Sequence, residues 1–95
     1  MDCRRLLFSR HAVARMFERE LNEPDIATVI GNGDVIREYP DDRPYPSTLM
    51  LGFKGSTPVH VVVAKDGKDG TCYVITVYVP DSTLWSPDFR KRRNP

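Results

Sequence analysis

The sequence predicts an α+β domain: two N-terminal helices packed on a four-stranded, mostly antiparallel sheet, with a short C-terminal aromatic and basic segment. Three observations carry that expectation. Apolar residues recur at helical spacing between Arg10 and Glu20, a second capped helical stretch stops at Gly31-Asn32-Gly33, and four later runs are bounded by turn signals. Helices grouped before strands favour a helical layer on one sheet face over an alternating parallel fold. With 95 residues the chain has room for a single core, so residues 1–95 read as one domain whose basic tail occupies about 90–95.

Ser9 has the small hydroxyl that caps a helix start, and Val13, Met16, Phe17 and Leu21 supply the apolar face that follows. Asn22 caps a second helix, Pro24 fits its first turn, and Asp25 sits favourably at the positive helix end. Ile26, Val29 and Ile30 form its apolar face. Gly31 and Gly33 end it, since glycine tolerates the left-handed conformation that helix C-termini often require. The strands are then Asp34–Tyr39, Thr48–Phe53, Pro58–Lys65 and Thr71–Val79, with Pro40 to Pro46 a rigid loop between the first two. Lys54-Gly55-Ser56-Thr57 and Gly67-Lys68-Asp69-Gly70 read as hairpin turns. In the segment after the sheet, Trp85 and Phe89 are expected to fold back on the domain and hold Arg90, Arg92 and Arg93 against it.

Composition limits the function classes. A formal net charge of +1 gives no global field for nucleic acid, so any such role rests on local clusters: Arg4-Arg5 and the Arg90 to Arg93 run. Two cysteines, Cys3 and Cys72, are too few for a secreted disulfide scaffold and fit reduced thiols in a cytoplasmic protein. They lack CxxC spacing, and the two histidines lie far apart in sequence, so neither a zinc site nor any other metal or cofactor is expected. Asp41 and Asp42 are adjacent and point apart, which disfavours a two-carboxylate site. No apolar run suits a membrane span or a signal peptide.

The chemistry-bearing candidates are His11, Arg15, Arg43, His60, Tyr78 and the C-terminal arginines. His60 stands among valines, which suits either a histidine tucked into the sheet or an acid–base group facing a groove. Pairing through the Gly67 to Gly70 turn sets His60 opposite Val77 with Tyr78 on the other face, and a one-residue slip reverses that relation. His11 and Arg15 lie one helical turn apart, as part of a solvated face or as an imidazole and guanidinium presented together to an anion.

Taken jointly, several short motifs carry a resemblance that spans nearly the whole chain. They are His11-Ala12-x-x-Arg15-Met16, Pro40-Asp41-Asp42-Arg43, Pro58 to Val63, Ile75 to Tyr78, and Trp85-x-x-Asp88-Phe89-x-x-Arg92-Arg93. This combination resembles the bacterial family of uncharacterised domains numbered 4258, whose members are discussed as relatives of the RelE/ParE/BrnT-like toxin fold. The resemblance implies a toxin-like component of a toxin–antitoxin system with an antitoxin-like protein partner. If activity follows, the reaction is metal-independent RNA cleavage, with His60, His11 and Tyr78 as the acid–base candidates. Arg15, Arg43, Arg90, Arg92 and Arg93 then contact phosphate. The apolar central strands depart from the cation-rich sheet of RelE. The competing class is a non-catalytic protein- or nucleic-acid-interaction module.

Overall fold

The computed structural model describes residues 1–93. Along the chain lie β1 (Arg5–Phe8), α1 (Arg10–Glu18), α2 (Glu23–Asn32), β2 (Asp34–Tyr39), β3 (Ser47–Lys54), β4 (Thr57–Lys65) and β5 (Thr71–Tyr78). The expected basic tail is seen as far as Arg93; Asn94 and Pro95 lie outside the described residues.

The α+β class holds, and the sheet is larger and more mixed than expected. Five strands run in the order β1-β5-β4-β3-β2. β2 to β5 form an antiparallel meander, and β1 adds in parallel to β5 with Leu6 beside Cys72. Arg5 to Phe8 escapes sequence reading because four residues carry no period and their partner lies at the far end of the chain. Since β1 and β2 occupy opposite edges, the intervening chain must cross the whole sheet, about 19 Å at the usual strand spacing. Two helices of nine and ten residues, about 14 and 15 Å long at 1.5 Å per residue, make that crossing.

Both helices cover one face. Ala12 and Met16 of α1 join Ile26, Val29 and Ile30 of α2 over Met50, Val59, Val61, Val63, Cys72, Val74 and Val77. Local capping fixes where each helix begins. The Ser9 hydroxyl accepts from Ala12 N at 3.0 Å and donates to the Ile75 carbonyl at 2.8 Å, tying the start of α1 to β5. Asn22 and Asp25 form a reciprocal capping box, both bonds at 2.9 Å.

Two helical expectations are corrected. Val13 and Phe17 are 53% and 87% exposed, because a nine-residue α1 turns only the Ala12–Met16 line onto the sheet. Gly33 closes α2 with φ −76°, not in the left-handed region. Its requirement is closeness: a Cβ there would lie 2.4 Å from the Val29 carbonyl oxygen and 2.6 Å from that of Leu51.

The expectation of reduced thiols is also overturned, since Cys3 and Cys72 form a disulfide with Cα atoms 5.6 Å apart. The parallel pairing of β1 with β5 brings together two residues 69 positions apart. Cys72 lies in the core beside the helices, where a one-residue reading of the sequence sees only a small apolar strand residue.

Phe17→Ala is expected to leave the melting temperature nearly unchanged, whereas Met16→Ala costs about 2 to 5 kcal/mol as a core truncation. Equal melting shifts for the two would refute this assignment of the α1 face. Reducing the disulfide should cost about 2 to 4 kcal/mol by freeing a long loop in the unfolded chain. Denaturation with and without dithiothreitol, alongside the Cys3→Ser, Cys72→Ser double variant, measures it.

Candidate functional site

On the sheet face opposite the helices, side chains alternate with those of the core. A β-bulge sets which ones meet there. Val62 pairs with Thr76 while Val63 pairs with Val74, so Ile75 is an extra residue in β5 and the alternation restarts after it. His60 therefore lies opposite Tyr78, on the same face, and not opposite Val77 as the unbulged hairpin predicts.

The C-terminal segment covers this pair. Its backbone is folded on itself: Trp85 bridges Arg92, Ser86 N donates to the Lys91 carbonyl at 2.8 Å, and Arg93 N donates to that of Leu84 at 2.8 Å. Trp85 is 6% exposed and packs edge-on against the His60 ring, centroids 4.5 Å apart. His60 is fully buried. Its Nε2–H donates to the Phe89 carbonyl at 2.8 Å, a bond that fixes the tautomer because a carbonyl only accepts. Nδ1 is then the acceptor for the Tyr78 hydroxyl at 3.2 Å. Phe89, half-buried, adopts φ 61°, the left-handed region in which non-glycine residues are uncommon.

Burial lowers the His60 pKa from its ordinary 6.5, with the bond to Phe89 opposing, so the ring is held neutral. Burial likewise raises the Tyr78 pKa; Tyr39 adds to this and Arg92 opposes it. With both ring nitrogens engaged and no solvent access, His60 cannot reach a substrate proton in this conformation.

Above the pair the same segment builds a cleft of about 380 Å³ lined by Ile36, Arg37, Leu49, Trp85, Arg90, Lys91 and Arg92. Three of its seven lining residues are apolar and four are cationic. Asp34 pairs with Arg90, and the Arg92 guanidinium lies 5.7 Å from the centroid of the Trp85 ring. Among the described residues Arg37, Lys91 and Arg92 have no carboxylate within ion-pair distance. A separate hollow between α2 and Pro87–Arg90 is lined by small and apolar groups, with Asp34, Asp88 and Arg90 its charged residues.

The expected site residues thus divide into three groups. His60, Tyr78, Arg90 and Arg92 lie together under and within the C-terminal segment, and Arg93 is tied nearby by its Nε–H to the Ser82 carbonyl at 3.0 Å. His11 and Arg15 are exposed on α1, in the helical layer on the other side of the sheet, with Arg15 paired to Glu18 at 2.6 Å. Arg43 lines an apolar cleft with Tyr45 and Tyr73, apart from the first group. Sequence reasoning missed Arg37, a lone cation on an edge strand, which a bulge between Val35 and Arg37 sets beside Ile36 in the cleft. Lys91 falls within the Arg90 to Arg93 run that the sequence marks as a local cluster, without being singled out there.

The buried neutral imidazole sets a pH dependence. A depressed folded pKa gives a contribution that is complete above the unfolded value of about 6.5 and is lost as pH falls through the folded pKa. Denaturant unfolding should therefore show declining stability on acidification below pH 6.5. The decline should persist in His11→Gln and flatten in His60→Gln; an unchanged slope in His60→Gln would contradict the assignment.

The family model for a domain of unknown function, DUF4258, matches residues 8–79, from the end of β1 through β5. No curated protein and no solved structure matches the chain. No described helix is long and apolar enough to cross a membrane. The matched range takes in both helices and the four-strand meander, including His60 and Tyr78, and ends before the segment that covers them; the chain belongs to the DUF4258 family.

Proposed function

We propose that the protein is a non-catalytic RNA-binding module that holds a single-stranded backbone in the cleft of Arg37, Arg90, Lys91 and Arg92. The observation that carries this reading is the cleft's charge: four cations around one opening, and a single carboxylate, Asp34, paired with one of them. Such a site binds polyanions by displacing their counterions, and the contact needs no net charge on the whole protein. Trp85 stiffens it from below, as its indole supports the Arg92 guanidinium.

A second reading is a metal-independent ribonuclease acting as the toxin-like member of a pair with an antitoxin-like partner. It is favoured by the grouping of an imidazole, a phenol and a guanidinium in His60, Tyr78 and Arg92. In that reaction the freed His60 ring takes the 2′-hydroxyl proton and the oxygen attacks phosphorus as Arg92 stabilises the phosphorane charge. The P–O5′ bond then breaks to leave a 2′,3′-cyclic phosphate while the Tyr78 hydroxyl protonates the departing 5′-oxygen. It requires the Phe89 carbonyl to leave Nε2, so the segment must lift first.

Fluorescence anisotropy with labelled oligouridine should show binding at low salt, with Arg37→Ala and Arg92→Ala each reducing the slope of log affinity against log salt by about 0.7. Absence of binding at low salt refutes the module reading. Cleavage of a mixed-sequence RNA in EDTA that is lost in folded His60→Gln would replace it with the ribonuclease reading.

A further inference from the structure

The other end of the same sheet face carries a second opening of about 410 Å³, lined by Arg43, Pro44, Tyr45, Ala64, Tyr73 and Ile75. We propose that it is a nucleobase-stacking platform, receiving a base of the single strand whose backbone lies at Arg37, Lys91 and Arg92. The proposal rests on the RNA-binding reading and adds the part of the ligand that the cationic cleft does not touch.

The geometry of the aromatic pair is the first support. Tyr45 and Tyr73 lie with their centroids 5.5 Å apart and their planes within 8°, so each ring fixes the orientation of the other and the pair offers a flat surface. Asp66 raises the Tyr45 pKa above its ordinary value through its charge, with Tyr73 adding. Tyr45 leaves the Pro40–Pro46 loop beside a cis Arg43–Pro44 bond, and Tyr73 pairs in register with Ala64, whose short side chain leaves the opening beside the rings.

An exposed apolar side chain is the second support. Ile75 lies two residues from Tyr73 on β5 and shares its face, lining the opening while 41% exposed. An exposed isoleucine beside two stacked tyrosines is apolar surface that a flat ring can cover. Arg43 at the rim supplies donors for the base edge or cation–π contact with its face.

Continuity selects the occupant. Leu49 of the cationic cleft pairs with Val62, two residues from Ala64 of the platform on β4, so these lining residues are about 7 Å apart along the strands and one strand apart across the sheet. Both openings are on the side of the sheet away from the helices, and an extended strand of a few nucleotides spans them. An apolar peptide would cover the tyrosines and leave the cations unmatched; a single-stranded polyanion with unstacked bases satisfies both.

Two probes separate this proposal from the reading it rests on. Adenosine, which has no phosphate, should shift the aromatic NMR resonances of Tyr45 and Tyr73 in the wild type and not those of Tyr73 in Tyr45→Leu. Oligouridine should bind Tyr45→Leu and Tyr73→Leu about 5- to 150-fold more weakly than wild type, the range for losing one stacked base. The salt slope should be unchanged, Tyr45→Phe should retain affinity, and inorganic polyphosphate should bind all four proteins alike. Wild-type RNA affinity in both leucine variants overturns the platform and leaves the cationic cleft standing. Loss of polyphosphate together with RNA in those variants also overturns it, by marking the tyrosines as structural. Adenosine shifts without any RNA binding by the wild type would overturn the backbone-binding reading and the joint strand, leaving only a nucleobase site.

Discussion

The hydrogen bond from His60 Nε2 to the Phe89 carbonyl ties the segment that carries the C-terminal cations to the centre of the sheet. The segment from Asp81 to Arg93 has little regular structure, and its own turns fix its shape without fixing its place on the sheet. The imidazole supplies the attachment from the middle of β4, a strand covered on both faces. A buried donor without an acceptor costs more than the bond itself is worth, so the pairing is strongly favoured once Trp85 has excluded water. The residue it holds, Phe89, is in the left-handed conformation and immediately precedes Arg90, Lys91 and Arg92. In this conformation both nitrogens of the His60 ring are taken up by the fold.

The two irregularities in the sheet have matching effects. The bulge at Ile75 resets the alternation of β5 so that Val74 and Val77 both face the helices and Tyr78 meets His60. The irregularity between Val35 and Arg37 does the same at the far edge, bringing Ile36 and Arg37 together at one cleft. A perfectly regular meander would turn Val77 away from the core and lose both arrangements. The helical layer supplies the burial, and the departures from regularity position the side chains of interest.

What was legible in the sequence was local. Ser9, Asn22 and Asp25 mark the helix starts because a cap acts within three residues, and the glycine-bounded turns mark the meander for the same reason. The aromatic anchoring of the last segment was legible too, since Trp85 has few stable alternatives to burial. What escaped was set by partners distant in sequence. β1 and the cysteine pairing both come from contacts across nearly the whole chain, and Phe17 was assigned to the core because period alone does not say how wide a contact α1 makes. The His60 register escaped because one extra residue in β5 exchanges the two faces. The separation of His11 and Arg15 from His60 follows from the sheet lying between them, which no spacing reveals.

The Cys3–Cys72 bond has a topological consequence. It closes the backbone into a ring that contains β1, both helices and the strands β2 to β4, with most of β5 and the aromatic segment hanging from the closure point. A single cut in the exposed Pro40–Pro46 loop would therefore open the ring without releasing a fragment: the two pieces stay covalently joined. Such a nicked molecule is two chains cross-linked through their side chains, with β1 and both helices on one piece held covalently to β5 on the other.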